Sequence, residues 1–277
     1  MIHKATTADA FQSIDIEVDE GVATVALCIP ERRNALTAEV KAELSAVVPR
    51  LAADQGVAAV VITGRGGVFC AGGDIRNMQN VREGMTVADW RTRMQALSPL
   101  IRQLVEMDKP LIAAVDGPAF GAGFGLALTA DFVLATPRAR FCASFLRMGL
   151  VPDFATTYTL PRIVGPQRAK ELLMSAREVS ATEAARLGMV LELVEPEDLL
   201  ARAKTLARGF LHASPMALGM IKQMVSASLA SDLAAALARE TDQQALCFQS
   251  EPHRAAVDRF LSRQAPAFRW PYTGARS

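Results

Sequence analysis

The sequence predicts an α/β protein whose carboxyl-terminal part is helical. Short apolar runs that are typical of buried strands alternate with helical patterns up to about residue 195. Glycine-rich turns stand between several of these runs and the helical patterns that follow them. From Pro196 to about Arg263 the chain is almost entirely helix-forming, with Leu, Ala and Met at helical spacing. We therefore predict a mixed α/β core over residues 1–195 and a helical domain over residues 196–277.

The first predicted elements are a β-hairpin and a helix. Residues 11–18 and 22–29 are β-rich runs, and Asp-Glu-Gly at 19–21 is typical of the turn between them. Thr37 then begins a helical pattern that Gly56 ends. The apolar residues predicted for one face of this helix are Val40, Leu44, Val47, Val48 and Leu51.

Strand and helix patterns alternate over the next 140 residues or so. Predicted strands cover residues 57–63, 111–115, 132–135 and 189–194. A polar stretch that we interpret as mobile covers residues 76–86, and helices are predicted up to about residue 107, at 122–130 and at 154–160. Ser180 to Glu183 form a capping-box pattern, and Gly188 ends the helix that it begins.

Composition argues against nucleic acid or an anionic membrane as a partner. The net charge is +1, and the chain has only two Trp and two Tyr for stacking on bases. The longest uncharged stretch, residues 117–130, is shorter than the ~20 residues of a membrane-spanning helix. Residues 1–20 lack the apolar region of a secretory signal, so we expect a cytoplasmic protein.

Cysteine and histidine spacing does not predict a metal site or a serine hydrolase. No C-x-x-C motif is present, and small buried thiols in a reducing compartment are the favoured interpretation of Cys28, Cys70, Cys142 and Cys247. The histidines lack metal-ligand spacing, and no G-x-S-x-G elbow exists. They are His3, His212 and His253.

Two glycine-rich turns carry the strongest functional signal. Phe-Cys-Ala-Gly-Gly-Asp at 69–74 and Gly-Pro-Ala-Phe-Gly-Ala-Gly-Phe-Gly at 117–125 each follow a predicted buried strand and precede a helical pattern. Such turns leave backbone N–H groups free and pointing outward. Two turns aimed at one point would form an oxyanion hole. The alternative is that the glycines serve only tight turns and close packing.

Four segments in order resemble the signature segments of the crotonase (enoyl-CoA hydratase/isomerase) superfamily. They are the two glycine turns, Arg-Arg-Asn-Ala-Leu at 32–36, and Gly-Leu-Val-Pro-Asp at 149–153 followed by Leu-Pro-Arg-Ile-Val-Gly at 160–165. The resemblance extends over residues 11–268. It implies a spiral core of ββα turns, a helical trimerisation domain, and a homotrimer or dimer of trimers.

The same resemblance implies an acyl-CoA substrate, with coenzyme A as part of that substrate and no separate cofactor or metal. By position, the N–H groups of Gly73 and Ala122 would bind the thioester oxygen. Ala122 stands where the family usually has glycine, so its placement depends on whether the position needs a positive φ. The positions implied to bind substrate are Arg32, Arg33, Ala35, Ala71, Asp74, Ile75 and Phe145.

The sequence departs from the family pattern at the residues that activate water. Hydratases of this family have glutamates where this chain has Gly125 and Phe145. Asp153 remains, and phenylacetate-type enoyl-CoA isomerases use an aspartate in a similar segment. One carboxylate can carry a proton from one carbon to another, provided that apolar neighbours raise its pKa. The alternative role for Asp153 is a helix N-cap.

We predict an enoyl-CoA isomerase with Asp153 as its acid/base, and we keep two alternatives. One is an enoyl-CoA hydratase of low activity, and the other is a CoA-ester-binding protein without catalysis. Residues 81–103 are expected to line the acyl pocket, with Val87, Trp90, Met94 and Leu97 among them.

Other charged residues are open to two interpretations. Asp74 could contact coenzyme A or stabilise a turn, and Arg32 and Arg33 could bind phosphates or lie in a solvated turn. Asp116 and Asp131 are expected to have structural roles.

Overall fold

The computed structural model describes residues 11–271, so that His3 and the outer ends of the two predicted domains lie outside the described residues. The strands within this range are β1 (Ile14–Asp19), β2 (Val22–Leu27), β3 (Ala59–Gly64), β4 (Leu111–Val115), β5 (Pro118–Phe120), β6 (Phe132–Ala135), β7 (Arg140–Cys142), β8 (Glu178–Ser180) and β9 (Glu192–Leu193). The helices are α1 (Ala38–Ala53), α2 (Ile75–Val81), α3 (Val87–Gln95), α4 (Ser98–Glu106), α5 (Ala122–Leu128), α6 (Thr156–Val164), α7 (Pro166–Ser175), α8 (Ala181–Arg186), α9 (Leu199–Arg208), α10 (Pro215–Ser228), α11 (Leu233–Phe248) and α12 (Glu251–Leu261).

A six-stranded sheet in the order β1-β2-β3-β4-β6-β9 forms the centre of the molecule. The predicted hairpin pairs β1 with β2 in antiparallel register, and the other pairs are parallel. The parallel strands are buried on both faces, which explains why they read as continuous apolar runs. A second sheet, in the order β5-β7-β8, lies beside the second glycine turn.

Side chains alternate between two cores, one on each face of the large sheet. In β3, Val60 and Ile62 pack on the face that α1 covers, whereas Ala59 and Val61 pack against α9. Thr37 caps α1 by accepting a hydrogen bond from the Val40 N–H, and all five predicted core residues of this helix are buried. Helix α9 therefore belongs to the packing of the core although it follows Pro196. The division at residue 195 stays a prediction.

Several predicted elements differ from those observed. The first part of the polar stretch at 76–86 is helical, because Asp74 caps α2, which ends at Val81. Thr86, at the end of the stretch, begins α3 with a capping box. The helix predicted at 154–160 begins only at Thr156. The second sheet was not predicted, since its three-residue strands are too short to show a period. None of the helices within residues 11–271 combines the length and the hydropathy that crossing a membrane requires.

Candidate active site

The two glycine turns lie against each other through main-chain hydrogen bonds. The Cys70 N–H donates to Pro118 O at 3.0 Å, and the Phe120 N–H donates to Cys70 O at 2.9 Å. Gly72 has a φ of +98°, and a Cβ there would lie 2.6 Å from Phe120 O. The close approach of the turns thus requires glycine at position 72.

The segment with the Arg-Arg-Asn-Ala-Leu motif holds the first turn from its other side. The Leu36 N–H donates to Gly72 O at 2.8 Å, and the Ala71 N–H donates to Arg33 O at 3.0 Å. Asn34 is completely buried, and its side-chain amide donates to two main-chain carbonyl groups of residues 65–68. The motif therefore has a structural role in fixing the turn, which its spacing alone did not reveal.

Gly73 and Ala122 line one cavity of about 50 Å³, and neither N–H donates a hydrogen bond within residues 11–271. Ala122 is the first residue of α5, where an N–H has no partner inside the helix. The positive φ falls on Gly121, at 52°, and Ala122 is not among the residues with positive φ. Alanine is therefore compatible with this position, and its N–H is available to a ligand.

Asp153 lines the same cavity. Its Oδ1 is buried and makes no hydrogen bond with any residue from 11 to 271. Burial raises the pKa of Asp153 to about 6, because desolvation disfavours the carboxylate, while the positive charge of Lys41 acts in the opposite direction. A carboxyl with this pKa is a stronger base than an ordinary aspartate and still ionises near neutral pH.

The N-cap interpretation of Asp153 is wrong. Helix α6 begins at Thr156, and its N-cap is Ala155, which has no capping side chain. Thr156 instead donates from its N–H and its Oγ1 to the main-chain oxygen of Asp153, at 3.0 and 2.6 Å. These bonds hold the backbone of Asp153 and do not involve its carboxyl.

The two residues after Asp153 are in a strained conformation. Phe154 and Ala155 have φ values of 51° and 56°, which non-glycine residues rarely adopt. Each costs about 1–3 kcal/mol and persists only where the surrounding packing imposes it. Phe154 is buried against Gly125, at the position where a hydratase would have glutamate. The sequence suggests that glutamates at 125 and 145 would confer hydration, but residue 125 has no space for a side chain.

The rest of the cavity lining combines apolar and cationic side chains. Trp90, Met94 and Leu97 line it as predicted, whereas Val87 is 86% exposed and does not. Lys41 and Arg93 also line the cavity and were not predicted, because a cation on an amphipathic helix normally indicates a solvated face.

Both cations lie in specific surroundings. The Arg93 Nη2 donates to Asn77 Oδ1 at 2.9 Å. Burial lowers the pKa of Lys41, the charge of Arg93 lowers it further, and Asp153 raises it.

Asp74 has the turn-stabilising role that was one of its two interpretations. Its carboxylate accepts a hydrogen bond from the Asn77 N–H at 3.3 Å and pairs with the Arg32 guanidinium at 2.5 Å. Asp74 also lines the cavity, and Arg32 contacts Asp74 through this ion pair.

The remaining predicted binding residues lie outside the cavity wall. Arg33 and Ile75 are exposed, Ala71 is half-buried, and Ala35 is buried. Phe145 does not line the cavity and is 7% exposed within the main hydrophobic core. Its expected contact with substrate therefore has no support in this geometry, because the ring fills the core instead.

Other acids and thiols have structural positions. Asp116 binds Arg138 and Thr136, and Asp131 binds the Leu111 N–H and Lys222. None of the four cysteines forms a disulfide bond. Burial raises the pKa of the Cys70 thiol to about 12. No cluster of three metal-ligating side chains occurs in the described part of the chain.

Several known proteins are similar to this chain in sequence and in architecture. Residues 17–270 match the family model for enoyl-CoA hydratase/isomerase. The chain is 36% identical over 252 residues to the 1,2-epoxyphenylacetyl-CoA isomerase of Escherichia coli (strain K12), covering 91% of this chain and 96% of that protein. It is 34% identical over 261 residues to the crotonyl-CoA hydratase of Syntrophomonas wolfei, covering 94% and 98%.

A solved structure agrees with these relatives. The enoyl-CoA hydratase/isomerase of Cupriavidus metallidurans CH34 superposes with a TM-score of 0.90 at 40% identity, covering 96% of this chain and 100% of that chain. Similarity along nearly the whole length, together with the paired glycine turns, shows that this chain belongs to the enoyl-CoA hydratase/isomerase family of crotonase-fold acyl-CoA enzymes.

Proposed function

We propose that this protein is an enoyl-CoA isomerase that shifts a double bond adjacent to the thioester and uses Asp153 as its only proton carrier. The observation that carries the proposal is a half-buried carboxyl whose buried Oδ1 has no hydrogen-bond partner within residues 11–271. It lies in the same cavity as two backbone N–H groups that donate no hydrogen bond within those residues. Asp74 is the other acid in the cavity wall, and its carboxylate is already engaged by Arg32 and Asn77.

In the proposed reaction, a 3-enoyl-CoA binds with its thioester oxygen at the N–H groups of Gly73 and Ala122. The Asp153 carboxylate removes a proton from the α-carbon, and the electron pair delocalises over the diene and the thioester oxygen as a dienolate. The same carboxyl then returns its proton to the γ-carbon, which gives the 2-enoyl-CoA. The N–H groups stabilise the charge that develops on the oxygen more than they stabilise the uncharged ground state.

Hydration is the less favoured reaction for this cavity. It requires a base for the attacking water and an acid for the α-carbon. Gly125 and Phe145 supply neither group, and Phe154 occupies the space beside Gly125. Because relatives carry both isomerase and hydratase names, water addition has to be measured separately.

The coenzyme A part of the substrate would lie along the rim formed by the first turn and the Arg-Arg-Asn-Ala-Leu segment. Arg32 and Arg33 are proposed to contact its phosphates, since guanidinium groups pair well with phosphate oxygens. Ala35, Ala71 and Ile75 border the same rim. No metal or separate cofactor is part of this proposal.

We propose further that residues 196–277 include the region through which copies of the chain assemble as a trimer or dimer of trimers. Helices α11 and α12 have no buried residue, and Leu233, Phe260 and Leu261 are each at least 73% exposed. Apolar patches of this kind favour an interface. A cytoplasmic location is supported by the unpaired state of all four cysteines.

The experiment that tests the proposal follows two reactions at once. Purified protein is incubated with 3-hexenoyl-CoA and, separately, with 2-hexenoyl-CoA. The separation of the products distinguishes the two isomers, which have equal mass, and mass spectrometry detects the added water. We expect migration of the double bond at least about 100-fold faster than water addition, the size of one missing acid or base. Water addition without migration would establish a hydratase. Tight binding of both esters without either reaction would establish a binding protein.

A further inference from the structure

The contact between helix α5 and the loop that carries Asp153 has no space for a side chain at Gly125. A Cβ at this position would lie 2.7 Å from Phe154 Cβ, 3.0 Å from Phe154 O and 2.6 Å from Thr156 Oγ1. Two of these three atoms belong to the residue that follows Asp153. The loop therefore approaches the helix as closely as van der Waals contact permits.

Burial of its side chain and close packing of its backbone both restrict Phe154. Its side chain is 2% exposed and belongs to the hydrophobic core, and the residue also lines the cavity. Ala155 also has a positive φ, so both residues directly after Asp153 have a strained backbone. A buried residue whose Cβ and main-chain oxygen pack on a glycine can keep such a backbone, whereas a free loop would relax from it.

No other residue within 11–271 holds the Asp153 carboxyl through a hydrogen bond. Its Oδ1 makes no hydrogen bond within residues 11–271, and the bonds from Thr156 reach only its main-chain oxygen. The direction in which the carboxyl points is therefore determined by its backbone, and that backbone is determined by Phe154 and Thr156.

We propose that Gly125 and Phe154 are positioning residues for proton transfer: their contact holds the Asp153 carboxyl in the cavity, facing the carbon atoms of the acyl group. The inference rests on the proposed function, in which Asp153 carries the proton. In this proposal the absence of a side chain at Gly125 has a function, because it allows Phe154 to pack closely against helix α5.

The other charged side chains that line the cavity stay unchanged in the test. They are Lys41 from α1, Arg93 from α3 and Asp74 at the start of α2. A change in the titration of Asp153 in variants at 125 or 154 then reports a change in its position and hydration.

The test is a double-mutant cycle on Gly125→Ala and Phe154→Gly, in which glycine at 154 tolerates the observed φ. We expect Gly125→Ala to lower kcat about 100-fold, with KM changed less than about threefold, because a carboxyl displaced by about 1 Å reacts poorly. In the Phe154→Gly background the same change should lower kcat less than about fivefold, because the side chain through which Gly125 is proposed to act is already absent.

A second readout separates position from fold. The rising limb of kcat/KM against pH should move about one unit lower in Gly125→Ala, because a displaced carboxyl is better hydrated and has a lower pKa. Gly56→Ala is the matched control, since a Cβ there meets only the side-chain oxygen of Asp54. Ala155→Gly is the control for the loop and should preserve the pH profile.

Full additivity in the cycle, or a lower kcat with an unmoved pH profile, would overturn the positioning role. Carbon-13 NMR of aspartate-labelled protein, with the Asp153 signal assigned from Asp153→Asn, measures the same pKa without turnover. If the wild type moves no double bond but Gly125→Ala lowers this pKa, the proposed function fails and the positioning role holds. An unchanged pKa in Gly125→Ala overturns the positioning role in either case.

Discussion

The cavity is built from two regions of different kinds. At the paired glycine turns, the proposed oxyanion donors are main-chain N–H groups, and main-chain hydrogen bonds from three segments hold the turns. At the loop after residue 150, the proposed proton carrier is one side chain, and the strained backbone that follows it packs on Gly125. The first region depends on backbone conformation, whereas the second depends on one residue type and on its burial.

This difference explains which substitutions the chain tolerates. Alanine is compatible with position 122, because the positive φ falls on Gly121 and not on Ala122. Asp153 has no comparable freedom, since its environment also determines its protonation. The effects of substitutions in the two regions should therefore differ both in the property that changes and in the size of the change.

The largest effect is expected from Asp153→Asn. Removing the only proton carrier should lower kcat for double-bond migration by about 1,000-fold, within the usual range for a general acid/base. Binding of saturated hexanoyl-CoA, measured by calorimetry, should change less than about threefold, since the amide has the shape of the acid. Turnover close to that of the wild type would exclude Asp153 as the proton carrier.

A smaller loss is expected when one oxyanion donor is removed. Ala122→Pro eliminates the N–H at the first position of α5, where proline suits the helix. The value of kcat should fall by about 100-fold or more, the loss typical of one oxyanion donor. Ala122→Gly keeps the N–H and is the control, with an expected change below about threefold. Equal kinetics for the two variants would contradict the assignment of this donor.

The buried carboxyl should also lower stability at neutral pH. The pKa of Asp153 rises from its ordinary value of 3.8 to about 6 on folding, so the protonated form favours the folded state. This favourable contribution is complete below pH 3.8 and is lost as the pH rises through about 6. Asp153→Asn should thus increase the free energy of unfolding by up to about 3 kcal/mol at pH 7 and by little at pH 4. Urea unfolding at both pH values measures the difference, and an equal gain at both would refute it.

The smallest contrast lies between adjacent glycines of the first turn. Gly72→Ala meets the main-chain oxygen of Phe120 and a φ of +98°, whereas Gly73→Ala meets only Cε of the Met78 side chain. We expect Gly72→Ala to destabilise the protein by about 1–2 kcal/mol or more, and Gly73→Ala by less than 1 kcal/mol. Thermal unfolding of the two variants compares them, and the reverse order would show that the turns do not meet as described.

The sequence predicted the large-sheet strands and the buried face of α1, because periodicity reports burial directly. It placed β4 and β6 at their observed bounds. It did not predict the second sheet, whose strands are stabilised by pairing with distant segments. It also missed Lys41 and Arg93, because a helical pattern cannot show that a cavity lies beside its polar face.

By itself, the sequence determined which chemistry is available: two glycine turns after buried strands, no glutamate at 125 or 145, and one aspartate at 153. Those properties follow from residue identity and local pattern. Only the tertiary structure decided that the turns meet, that Ala122 is unstrained, and that Asp153 faces a cavity rather than capping a helix. The reason is physical: the direction of an N–H group and the pKa of a carboxyl depend on atoms that are distant in the chain and adjacent in space.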